Sequence, residues 1–296
     1  MKRFLSHKLA VAGAMIVAGL IIASLAAPWI VRYPPEQQNL AIKLQPPSAS
    51  HWLGTDEYGR DLFSRMLYGG RISLSVGFVA VTISVAIGIL LGALAGYFGG
   101  VTDHIIMRLV DIVLCIPTLF LILMLVVFLG PNLLNIMVII GLTSWTELAR
   151  LVRAEFLSLK QRDYILAARA IGARDGRIIF RHILPNALAP VFVSATFGVA
   201  GAILLESGLS FIGLGVQPPA ASWGNILTSG KDYITQAWWL TLAPGAAIFL
   251  TVLGYNLLGD GLRDLLDPRL SGSEPHPKQT NTASSAARLK RGEPHA

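Results

Sequence analysis

Charge is what this sequence has least of. Only 14% of its 296 residues are Asp, Glu, Lys or Arg, against about 25% in a soluble globular protein. With a hydrophobic fraction of 53% and a mean hydropathy of +0.60, that deficit argues against a water-soluble domain. Cysteine is nearly missing too: the lone Cys115 excludes an internal disulfide framework, and no paired Cys/His spacing suggests a structural zinc site. Catalytic signatures are also lacking. There is no nucleophile elbow, zinc-peptidase pair or dinucleotide fingerprint. The nearest approach to a phosphate loop, Gly224 to Gly230 with Lys231 and Asp232, is one residue too long and has a carboxylate where magnesium binding needs a hydroxyl. The chain is therefore expected to be no enzyme and to hold no metal and no cofactor of its own.

What is present is a series of apolar runs, at 9–31, 72–97, 105–129, 133–150, 187–213 and 238–258. Each approaches or exceeds the roughly 20 residues that cross a bilayer as a helix, so the expected fold is all-α and polytopic with six transmembrane helices. The first run follows Lys2, Arg3 and Lys8 but outlasts the apolar part of a signal peptide, about 7 to 15 residues, and reads as an anchor. Six spans place both termini on one side. Setting them in the cytoplasm puts 18 of the 24 basic residues inside and 6 outside, the asymmetry that the positive-inside rule requires. The chain then divides into 1–31, an outer segment 32–71, a core 72–270 with five spans and an inner loop 151–185, and a polar tail 271–296 expected to be disordered. A second outer loop covers 214–237.

Gly88, Gly92 and Gly96 form a stripe on one helix face that suits close helix packing in lipid, and Pro117, Pro190 and Pro244 can bend their spans. Four acids lie in or near spans, where an ionisable group is a functional candidate. Asp111 is expected to pair with Arg108 three residues away. Glu147 and Asp260 are expected where their spans emerge on the inside. Glu206 lies deeper, with helix packing, gating or proton transfer as its readings.

The inner loop carries the most information. Asp163 is placed to cap a short helix from Tyr164 to Ile171, and Gly172 can take the positive φ at its end. Asp175 can cap a second short helix closed by Pro185. Ala167, Ala168 and Ala170 allow close approach to a surface, and Tyr164, Ile165 and Ile171 supply apolar anchors for a partner's groove. With 8 basic and 3 acidic residues between 150 and 181, anionic lipid headgroups are an equal alternative on the residues alone. Nucleic acid is not expected as a partner.

This loop resembles the coupling loop of binding-protein-dependent ABC importers: Glu-Ala-Ala, three residues, Gly, nine residues, Ile, one residue, Leu-Pro. Ala167, Ala168, Gly172, Leu184 and Pro185 fall on that pattern, while Leu166 replaces its glutamate and His182 its isoleucine. The stretches His51–Arg71, Glu206–Pro219 and Gly259–Arg269 are similar to those of the dipeptide/oligopeptide/nickel permease family, in its second, shorter permease type.

The resemblance implies a type I ABC importer transmembrane domain in a bacterial inner membrane. Its implied partners are a second permease subunit, two cytoplasmic ATPases that carry ATP and magnesium, and an extracytoplasmic binding protein, with peptides, nickel complexes or glutathione as cargo. Carried onto this chain, the ATPase contact comprises Asp163, Tyr164, Ile165, Ala167, Ala168, Arg169, Gly172 and Arg174. Trp52, Asp56, Arg60, Asp61, Arg65 and Glu206 are candidates for the pathway mouth or the binding-protein contact, with a cap that merely packs over the bundle as the alternative. The rivals are an ion-coupled secondary transporter using Asp111 or Glu206, which would show inverted repeats and broken helices, and a non-transporting scaffold.

Overall fold

The computed structural model describes residues 7–266. Lys2, Arg3, the 271–296 tail and the end of the Gly259–Arg269 stretch lie outside the described residues. Among the described residues every regular element is helical, apart from one isolated antiparallel bridge between Thr55 and Asp61.

Five helices are long and apolar enough to span a membrane, and a bent pair makes the sixth crossing if counted as one span. α1 (Lys8–Leu25) runs into a single further turn, α2 (Ala27–Ile30), opened by Pro28. α3 (Leu62–Phe98) has 37 residues, about 55 Å at 1.5 Å per residue, so it projects well beyond a hydrocarbon core of about 30 Å. It starts ten residues before the apolar run because Asp61 caps it, accepting the Ser64 N–H at 2.8 Å.

α4 (Gly100–Cys115) and α5 (Thr118–Leu129) meet at 85°. Ile116 is extended, as a residue preceding proline tends to be, and Pro117 cannot donate to the ladder. α6 (Leu133–Thr143) and α7 (Trp145–Leu159) form one span interrupted at Ser144. The short α8 (Asp163–Ala170) and α9 (Asp175–Arg177) follow. A π-helical turn, Ile178–Ile183, then leads into α10 (Leu184–Phe211). α11 (Trp223–Lys231) lies outside the spans, and α12 (Trp239–Leu266) is the last.

The bundle has two distinguishable ends. Residues 32–61 and α11 form a cap at one; α8 and α9 form an elbow at the other. His7 and Asp264 meet at 2.9 Å, so both ends of the described chain lie on the elbow side. The glycine stripe locks α3 to α7: a Cβ added at Gly88 would lie 2.9 Å from the Leu148 Cβ, at Gly92 2.5 Å from the Ala149 carbonyl oxygen, and at Gly96 2.6 Å from the Phe156 Cβ. Close packing thus accounts for the stripe, since helices in lipid associate by van der Waals contact rather than by excluding water.

Candidate functional site

The elbow is a short helix held rigidly against the ends of two spans. Ile165 (0% exposed) and Ala168 (8%) face inward, and Ile165 enters an apolar cluster with Phe156 and Val152 of α7 and Ile178 and Ile183 of the π turn. Gly172 has φ +82°. Around it, the Ala173 N–H bonds the Ala168 carbonyl at 3.0 Å and the Gly172 N–H bonds the Arg169 carbonyl at 2.9 Å, the two crossed bonds of a Schellman ending.

Four polar contacts brace this unit. The Tyr97 hydroxyl at the end of α3 donates to Asp175 at 2.5 Å. The Arg169 guanidinium lies 5.4 Å from the Tyr97 ring centroid, and Lys160 donates to the Gly96 carbonyl at 2.9 Å. Arg153 grips Asp103 through two nitrogens at 2.5 and 2.6 Å. Removing the Tyr97 hydroxyl in Tyr97→Phe costs on the order of 1 kcal/mol of local stability, which predicts a roughly fivefold rise in amide exchange over residues 163–173. Exchange measured by mass spectrometry checks this; an unchanged segment would remove Tyr97 from the brace.

Several local expectations are corrected here. Asp163 is the first helical residue rather than the cap, which is Arg162 with no capping side-chain bond. Asp175 opens a helix that continues through the π turn into α10, and Pro185 sits just after that turn instead of closing a separate helix. Of the eight residues assigned to an ATPase contact, Ile165 and Ala168 are turned into this chain and act as anchors. Asp163, Tyr164, Ala167, Arg169, Gly172 and Arg174 are exposed. Leu166 (51%), Ile171 (87%) and Phe180 (70%) are exposed apolar side chains of the elbow, as is Tyr164. Leu166 stands where the coupling pattern has its glutamate and Phe180 lies beyond the first short helix, so the pattern points to neither.

At the cap end, Asp56, Arg60, Asp61 and Arg65 are all buried. Asp56 accepts from the Arg60 Nε at 2.6 Å and from the Tyr58 and Arg60 N–H groups at 2.9 Å, with the Arg65 Nε at 3.4 Å. Asp61 accepts from Ser64 and pairs with the His51 Nδ1 at 2.8 Å. These four therefore fold the cap and present no contact surface. Trp52 alone of the set is half-exposed, with the Arg32 guanidinium 4.8 Å from its ring centroid.

Glu206 is fully buried. Its carboxyl receives the hydroxyls of Ser210 at 2.7 Å, Ser222 at 2.9 Å and Ser73 at 3.4 Å, and the same three hydroxyls accept the N–H groups of Val216, Asn225 and Trp223. The expected role at a pathway mouth or partner contact gives way to fastening α11 and its loop onto α3 and α10. Glu206→Leu strands three buried hydroxyls, at about 1–3 kcal/mol for each that finds no other acceptor, and is predicted to lower the melting temperature of the purified protein by ~5 °C or more. An unshifted thermal melt would show that the hydroxyls repartner.

Asp111 bonds Arg150 of α7 at 2.6 Å rather than Arg108. Glu147 lies near the end of the 133–150 apolar run, in a helix that continues to Leu159, and on the wall of a cavity of about 320 Å³ between α3, α5, α6, α7 and α10. No group of three or more His, Cys, Asp or Glu that could hold a metal stands together among the described residues.

This arrangement of spans, elbow and cap agrees with what the chain is similar to. Residues 88–272 match the family described as binding-protein-dependent transport system inner membrane component, and residues 1–47 match the N-terminal transmembrane domain of oligopeptide transport permease C. The dipeptide transport system permease protein DppC of Alkalihalophilus pseudofirmus is 45% identical over 91% of this chain and 88% of its own length. The oligopeptide transport system permease protein OppC of Bacillus subtilis is 41% identical over 91% and 88%. Among solved structures, an inward-facing MetNI methionine ABC transporter superposes with a TM-score of 0.55 at 20% identity, covering 69% of this chain and 96% of that one, a likeness of fold. Despite the Ser144 interruption and the bend at Pro117, the relatives do not favour a secondary transporter. The chain belongs to the binding-protein-dependent transport system inner membrane components of ABC importers, among the permease C proteins.

Proposed function

We propose that this chain is one of two permease subunits of an ATP-driven importer of di- or oligopeptides, and that it moves cargo by alternating access while separate subunits hydrolyse ATP with magnesium. The observation that carries this reading is the braced elbow. It exposes Tyr164, Leu166 and Ile171, while Ile165 and the Tyr97–Asp175 bond tie it to α7 and α3. A helix so fastened transmits a displacement to the spans instead of absorbing it, because packed interiors are stiff.

ATPases that close on nucleotide favour one arrangement of the elbows over the other, and that difference in affinity shifts the spans. The excess of basic residues on the elbow side supports a cytoplasmic placement of that end and of both termini in the inner membrane. An extracytoplasmic binding protein then delivers cargo at the cap. The apolar exposed residues of α4 and α5, among them Val101, Phe120 and Phe128, suit the second permease and surrounding lipid. Peptide cargo follows the names of the relatives, which cover nearly the whole chain.

The test is peptide uptake by the complete complex in proteoliposomes loaded with ATP. Uptake should require ATP and the binding protein and should persist when ionophores collapse every ion gradient. Uptake that stops with the gradient while ATP remains would overturn the reading, and uptake of nickel or glutathione but not peptides would reassign the cargo.

A further inference from the structure

We propose that Glu147 is a station for the ammonium group of the cargo within the translocation cavity. This rests on the reading of the chain as half of a peptide pathway and adds the group it recognises.

The cavity wall carries one charged side chain, Glu147, together with the hydroxyl residues Ser84, Thr118, Ser144 and Ser194; Phe197 and small or aliphatic residues make up the remainder. Glu147 projects from the first turn of α7 and is exposed. The arginines that share its helix are engaged elsewhere: Arg150, three residues on, bonds Asp111, and Arg153 bonds Asp103. Among the described residues no ion pair or side-chain hydrogen bond satisfies the Glu147 carboxylate, unlike Asp103, Asp111 and Glu206.

An unpaired carboxylate on a wall of hydroxyl and apolar residues, with no cation on that wall among the described residues, attracts positive charge. The accompanying donors select the kind of cation. An ammonium has three N–H donors and needs three acceptors, which one carboxylate and neighbouring hydroxyls provide. Divalent calcium or magnesium would need six or more oxygens, several of them charged. The free amino terminus of a peptide, or a lysine side chain, fits this set, while the apolar part of the wall accommodates the rest of the cargo. The site is weak by design of its single charge, which suits a pathway that must release what it holds.

The complete importer in membrane vesicles supplies the test, in a Cys115→Ala background with Ser194→Cys as reporter. The probes are the cationic aminoethyl and the anionic sulfonatoethyl methanethiosulfonates, with modification of this chain followed by mass spectrometry. Glu147→Gln should lower the cation-to-anion rate ratio at position 194 about tenfold and leave the ratio unchanged at a control cysteine replacing the exposed Gln38 of the cap. Uptake of a free-amine dipeptide should fall about tenfold in the same variant. An unaltered ratio at position 194 overturns the station, whatever uptake does. A fallen ratio with undiminished uptake overturns its use by cargo. Should the parent complex take up no peptide with ATP, the peptide reading fails by itself, and the ratio still decides whether Glu147 attracts cations.

Discussion

Gly172→Val is expected to cut ATP-driven uptake about tenfold or more while the permease still inserts and assembles. Nothing lies within 4 Å of a Cβ built at Gly172, so steric crowding is not the issue; the φ of +82° is. A non-glycine residue pays roughly 1–2 kcal/mol to occupy the left-handed region, and a β-branched one is a marked outlier there. The favoured response is to open the Schellman turn, which releases the Ala173 and Gly172 hydrogen bonds and with them the fixed angle between α8 and the π turn. Since 1.4 kcal/mol corresponds to tenfold, a cost of that size shifts the elbow substantially away from its docked geometry. Gly172→Asn is the matched control, because asparagine tolerates this region, and it should recover most of the uptake. Uptake, ATP turnover and the amount of complex purified from membranes would be measured together. Normal uptake in the valine variant would separate this turn from coupling altogether.

The largest structural effect is expected from Gly92→Leu combined with Gly96→Leu, which should abolish recovery of folded permease from membranes. At Gly92 the added Cβ meets the Ala149 carbonyl oxygen at 2.5 Å and the Val152 Cβ at 2.7 Å; at Gly96 it meets the Phe156 Cβ at 2.6 Å and the Arg153 carbonyl oxygen at 2.8 Å. Backbone atoms cannot rotate aside, so α3 and α7 must separate. Overpacking of this kind costs typically 1–3 kcal/mol per site, and in lipid no hydrophobic gain draws the helices back together. Separation also pulls Gly96 from Lys160 and Tyr97 from Asp175, so the elbow loses its brace in the same step. Gly19→Leu is the control, with nothing within 4 Å of its added Cβ, and should purify normally. Thermal midpoints of the single variants in detergent rank the two sites; full stability in both would mean that α3 and α7 can slide past each other without loss.

The two variants fail through different routes, and the difference shows how local and long-range physics divide this molecule. The turn at Gly172 was legible in the residues because its geometry is a property of a few adjacent positions. The glycine stripe announced close packing, but not that its partner was α7. The acids show the same limit: Asp111 has a basic residue at the right helical spacing, Arg108, yet bonds Arg150 on another helix. For the outer acids and arginines the residues alone leave a contact surface and a packing cap open, and their burial by pairing with one another favours the cap.

Composition, run lengths and the coupling pattern by themselves determined that the chain is helical, membrane-spanning, without a catalytic motif of its own, and jointed at Gly172. Those features depend on the transfer of each segment's own side chains into lipid and on torsions of neighbouring residues. Only the tertiary structure decided that Ile165 and Ala168 face inward, that Glu206 gathers three hydroxyls, and that Glu147 stands on a cavity wall with no partner among the described residues. Each of these depends on which helices meet and at what depth, a matter of packing between segments distant in the chain, to which periodicity along any one helix is blind.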